Sequence, residues 1–163
     1  MAGDQGADAA ASFNHIGICV SDLDRSRRFY EDVLDFRYWW QLSPPDEGTG
    51  PLMQLDPPVG ATAVYLVNGR FVLELLHYAG AGIHEAPRRL LNDLGLTHLS
   101  VAVADMAAAK AKVVPGGGEV LEDTDMWGRA VMIRDPDGQL IELTTFGFRE
   151  MWPPWPDGEA GPA

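Results

Sequence analysis

Residues 13–34 read FNHIGICVSDLDRSRRFYEDVL, and residues 96–114 read LTHLSVAVADMAAAKAKVV. Each stretch sets a histidine, His15 or His98, just ahead of a short run of Ile, Leu and Val. Each then meets a residue that can cap a helix: Ser21 or Asp22 in the first, Asp105 in the second. A short polar side chain at that position accepts from the free N–H groups of the first turn. The same signals in the same order, twice in one chain, predict two copies of one supersecondary unit.

The segments that follow complete the unit. FRYWWQL (36–42), ATAVYLV (61–67) and RFVLELLHY (70–78) are rich in β-branched and aromatic residues and read as strands, with Asn68-Gly69 as a hairpin signal. In the second half EVLEDTD (119–125), GRAVMIR (128–134) and QLIELTTF (139–146) do the same, joined near Trp127-Gly128 and by the turn DPDG. The predicted class is α+β, with the order βαβββ in tandem. The expected divisions are a disordered N-terminus over 1–11, a first module over 12–79, a linker over 80–95 containing a short helix, a second module over 96–148, and a Pro-rich tail over 149–163 with two Trp residues able to dock. The Pro/Gly-rich stretch 43–60 is expected to be a long loop.

Each fourth strand carries an acidic residue among apolar ones, Glu74 in FVLELL and Glu142 in QLIELTT. Strand side chains alternate between faces. Ile16, Ile18 and Val20 therefore oppose His15, Gly17 and Cys19, and Leu73 and Leu75 oppose Glu74. In the second unit Leu99, Val101 and Val103 oppose His98, while Ile141 and Leu143 oppose Glu142. The aliphatic faces should pack on the helices, leaving both His and both Glu on one concave surface if the repeats come together. A lone strand His is more often a hydrogen-bonded structural residue, and a lone strand Glu can sit on an exposed edge. Repetition of both types at equivalent places favours a divalent cation site. The mixture of nitrogen and oxygen donors suits Zn, Ni, Co, Fe or Mn. His77 has the opposite parity to Glu74, and His84 lies in the linker.

Composition narrows the partners. The net charge is −12 and the isoelectric point about 4.5, a field that repels nucleic acid. Cys19 is alone, so no intrachain disulfide can form. The first residues lack a signal-peptide pattern, and no apolar run reaches the roughly 20 residues of a membrane span. A soluble, cytoplasmic protein acting on a small molecule is expected.

These stretches resemble the vicinal oxygen chelate superfamily, the glyoxalase and extradiol dioxygenase fold. HIGICVSDLDRSRRFYEDVLDF resembles its opening motif, THLSVAV the start of its second module, and IRDPDGQLIEL its closing motif. The likeness spans roughly residues 13–146; Asp35 departs from it where many members have Gly. It implies a cupped, barrel-like mixed sheet with helices outside, a divalent metal held by His15, Glu74, His98 and Glu142, and a homodimer. It further implies proton transfer through an enolate, as in glyoxalase I or methylmalonyl-CoA epimerase, with Glu142 or Glu74 as base. Trp39, Trp40, Tyr65, Trp127 and Phe146 fall in segments that border the cup. An Fe(II) ring-cleaving dioxygenase, which would leave Glu74 idle, and a drug-sequestering protein are the other readings.

Overall fold

The computed structural model describes residues 11–85, 87–88 and 90–153, without the side chains of Phe148 and Arg149. The expectation of disorder over 1–11 falls almost wholly outside that range, as does most of the C-terminal tail; of its two Trp residues, Trp152 is described and is exposed.

Two four-stranded mixed sheets form, one from each repeat. The first comprises β1 (Ile16–Cys19), β2 (Arg37–Leu42), β3 (Ala61–Asn68) and β4 (Phe71–Tyr78), in the order β1-β4-β3-β2. The second comprises β5 (Leu99–Val103), β6 (Glu119–Leu121), β7 (Ala130–Arg134) and β8 (Leu140–Thr145), in the order β5-β8-β7-β6. In both, the first strand runs parallel to the fourth and the rest are antiparallel. The sheets are cupped and open; they do not close into a barrel. Helices α1 (Leu23–Leu34) and α3 (Met106–Val113) follow the first strand of each repeat. Asp22 caps α1 by accepting from the Arg25 N–H, and Asp105 caps α3 by accepting from the Ala108 N–H.

The predicted faces are observed. Val20, Leu73, Leu75, Ile141 and Leu143 are fully buried, and with Phe29, Tyr30, Val33 and Val113 they form one core that takes residues from both repeats. Burying a Leu or Phe side chain is worth about 1.5–3 kcal/mol, so this shared core holds the halves together. A polar clamp adds to it. Tyr30 on α1 donates to Asp135 at 3.0 Å, while Ser21 and Arg25 both reach Asp137 at 2.6 Å. The DPDG turn of the second repeat thus sits on the helix of the first.

Three expectations change. The stretch 43–60 is not all loop: α2 (Asp46–Met53) forms there, with Pro51 inside it. Asp46 explains this locally, because its carboxylate accepts from the Val59 and Gly60 N–H groups and folds the segment onto itself. The linker contains turns and no helix among its described residues, which include Gly80, Gly82, Pro87 and Gly95. Segment 119–125 is a strand only to Leu121; a 3-10 turn over Glu122–Thr124 ends it, closed by Thr124 donating to the Leu121 carbonyl. No helix among the described residues is long and apolar enough to cross a membrane.

Candidate metal centre

Parallel pairing of β1 with β4 sets Gly17 opposite Glu74, and parallel pairing of β5 with β8 sets Ser100 opposite Glu142. These are equivalent register positions. They bring the histidine just before each first strand to the glutamate of each fourth strand. His15 Nε2 lies 3.2 Å from Glu74 Oε2, and His98 Nε2 lies 3.7 Å from Glu142 Oε2.

The other ring nitrogen is engaged in the same way at both places. His15 Nδ1 is 2.6 Å from Asn14 Oδ1, and His98 Nδ1 is 2.9 Å from Thr97 Oγ1. A His whose Nδ1 is tied by a neighbour and whose Nε2 points at a carboxylate is oriented as a metal-binding His is. The sequence carries this signal, since a polar residue, Asn14 or Thr97, precedes the histidine in both repeats.

Each carboxylate also takes a hydroxyl. Tyr65 on β3 donates to Glu74 Oε1 at 2.5 Å, and Ser100 on β5 donates to Glu142 Oε2 at 2.7 Å. Glu74 is the more enclosed, with 12% of its side chain exposed against 28% for Glu142. Partial burial, with the hydrogen bond and charge of Glu74 added, pushes the Tyr65 phenol up to about 12, so it stays a donor at neutral pH.

Of the five aromatic residues expected to border the cup, two join a half-site. Trp40 stacks flat on Tyr65 at 4.8 Å with an 8° tilt, and Tyr65 meets His15 edge-on at 5.9 Å. A β-bulge makes this possible. The register of β2 shifts between Tyr38 and Trp40, so Tyr38 pairs with Leu66 while Trp40 pairs with Tyr65. Residues two apart on a regular strand would share a face; the bulge sends Tyr38 to the helix side, under Arg27, and Trp40 to the Glu74 side. Trp39 packs edge-on against Trp40 and is exposed, as are Trp127 and Phe146.

The donors fit a divalent ion as two half-sites, each offering one imidazole nitrogen and one carboxylate. Among the described residues of a single chain, no three His, Cys, Asp or Glu side chains converge as a metal would need. The four expected ligands are thus gathered in pairs, His15 with Glu74 and His98 with Glu142.

Known proteins resemble this chain in sequence and fold. The family model for the glyoxalase/bleomycin resistance protein/dioxygenase superfamily matches residues 12–143. A probable lactoylglutathione lyase of Synechocystis is 29% identical over 138 residues, covering 79% of this chain and 91% of that protein. An ethylmalonyl-CoA/methylmalonyl-CoA epimerase of Cereibacter sphaeroides is 28% identical over 138 residues, covering 80% and 94%. The crystal structure of a glyoxalase family protein from Bacillus cereus superposes with a TM-score of 0.73 at 19% identity, over 85% of this chain and 96% of that one. The family model's match over residues 12–143, most of the chain, means that this protein belongs to the glyoxalase/bleomycin resistance protein/dioxygenase superfamily.

Proposed function

We propose that the protein is a metal-dependent enzyme that moves a proton at the carbon beside a carbonyl or thioester, as an isomerase, epimerase or lyase of the glyoxalase type. The observation that carries this reading is the pair of matched half-sites, each with a His Nε2 turned toward a Glu carboxylate. The lyase and epimerase names of the two relatives support an enzyme of this class.

His15, Glu74, His98 and Glu142 would hold one divalent cation. Such an ion acts as a Lewis acid that stabilises negative charge on a neighbouring oxygen. Because one chain offers two donors at each place, the full set comes from two copies: His15 and Glu74 of one protomer with the partner's His98 and the partner's Glu142. Exposed apolar side chains on the linker, Leu90 and Leu91, fit a surface that another protomer covers. A reducing, cytoplasmic setting fits the lone Cys19.

Within this site Glu142 takes the proton from the substrate carbon and returns it. It is the less enclosed carboxylate, and a Ser hydroxyl rather than a phenol holds it. Return to the same carbon is epimerisation; return to its neighbour is isomerisation of the glyoxalase kind. Trp40 and Tyr65, stacked on each other, wall the cup beside Glu74.

The test is metal analysis of the purified protein, then α-proton exchange in deuterated water with a methylmalonyl thioester and a glutathione hemithioacetal. Exchange with either substrate, lost by about 100-fold or more in Glu142→Gln, is expected for a positioned acid–base group. Undiminished exchange in E142Q would remove Glu142 from its role. Iron content with oxygen-dependent catechol cleavage would replace the whole reading with a dioxygenase.

A further inference from the structure

The two half-sites follow one plan, yet the hydroxyl that holds each glutamate comes from opposite sides. Beside Glu74 stand Gly17 on β1 and Tyr65 on β3. Beside Glu142 stand Ser100 on β5 and Met132 on β7. The donor has changed strands between the repeats. Gly17 leaves the room for this, since a Cβ there would come within 3.1 Å of Glu74 Oε2.

The swap changes which oxygen is free. Tyr65 donates to Glu74 Oε1, while the oxygen facing His15 is Oε2. Ser100 donates to Glu142 Oε2, the same oxygen that faces His98. In the first half-site the inner oxygen beside the imidazole is therefore clear of the hydroxyl. In the second it is already engaged. The donors also differ in freedom. A Ser hydroxyl rotates about one bond, whereas the Tyr65 ring is clamped by the flat stack on Trp40 and the edge contact with His15.

We propose that Tyr65 is a positioning residue for this chain's metal centre: by holding Glu74 Oε1, it presents Glu74 Oε2 beside His15 Nε2 as a preset ligand pair. The inference rests on the metal-centre reading above. It divides the labour between the carboxylates, with Glu74 fixed as a ligand and Glu142 the looser of the two. The bulge at Trp39 belongs to the same device, because it brings Trp40 onto the Tyr65 ring.

The experiment is titration of metal-free wild type and Tyr65→Phe with Co(II), read by calorimetry and by the visible absorption of the bound ion. Phe keeps the ring and its stack and removes only the donor. The expected result is a loss of Co(II) affinity of about 10-fold or more, the usual cost of removing a group that orients a ligand, with an altered absorption spectrum. Equal affinity and an identical spectrum in Y65F, with wild type binding Co(II), would overturn the role of Tyr65 and leave the metal centre standing. Failure of wild type itself to bind Co(II), Zn(II) or Ni(II) would overturn the metal centre and this inference with it.

Discussion

Asp135 is 3% exposed and accepts from the Tyr30 hydroxyl and from the backbone N–H groups of Asp137 and Gln139. Burial pushes its carboxyl above the ordinary aspartate range, against the pull of those three donors. A carboxyl raised in the folded state contributes stability below its unfolded value and loses it as pH rises through the folded value. Asp135→Asn removes that pH-dependent loss. D135N should therefore gain stability relative to wild type as pH rises from the ordinary aspartate range toward neutrality, as read by urea unfolding at several pH values. A constant difference across that range would contradict the account. Tyr30→Phe, which strips one donor from the same buried carboxylate, should cost about 1–3 kcal/mol at neutral pH by the same measurement. The four ligand candidates were legible from repetition and parity together: His and Glu recur at equivalent places of both repeats, and Glu74 and Glu142 stand opposite Leu73, Leu75, Ile141 and Leu143. The hydroxyls of Tyr65 and Ser100 could not be assigned to them, because a cross-strand partner depends on register between segments, and a period-2 pattern within one strand carries no register.

Among the elements, the end of α1 shows why a glycine would suit position 35. Asp35 closes the helix in the left-handed region, at φ 55°, with its N–H donating to the Tyr30 carbonyl. Asp tolerates that conformation better than most residues, but its charge opposes the negative end of the helix. Asp35→Gly should raise stability by about 0.5–1 kcal/mol, measured as a higher unfolding midpoint; a lower midpoint would contradict the capping argument. The glycines after α3 do more than stop a helix. A Cβ on Gly118 would meet the Arg134 carbonyl and lie 2.7 Å from Phe29 of the other repeat. Gly118→Ala should cost about 1–3 kcal/mol by overpacking this seam. Both capped helices and most strands were readable from local signals. The bulge at Trp39 was not: two adjacent Trp residues on a strand give no sign of where pairing slips. Nor was α2, whose stability comes from Asp46 reaching back from the helix start to the Val59 and Gly60 backbone, a contact between residues 13 and 14 positions apart.

For the molecule as a whole, a shared core and the clamp of Ser21, Arg25 and Tyr30 on Asp135 and Asp137 bind the repeats side by side. That arrangement leaves each repeat with its own His–Glu pair. Duplication was plain in the sequence, and so was the composition of each half-site. How the halves meet was not, because a repeat can face its neighbour in the same chain or in another copy, and periodicity is the same for both. In the proposed metal centre a divalent ion lies between the first half-site of one protomer and the second of its partner. Its most direct test is complementation: metal content is measured for a His15→Ala/Glu74→Ala variant, for a His98→Ala/Glu142→Ala variant, and for the two refolded together. Each variant alone should bind no metal, and the mixture should regain it, because a mixed dimer joins one intact pair from each chain. A mixture as empty as its parts, alongside a wild type that binds metal, would place all four ligands in a single chain and contradict the account.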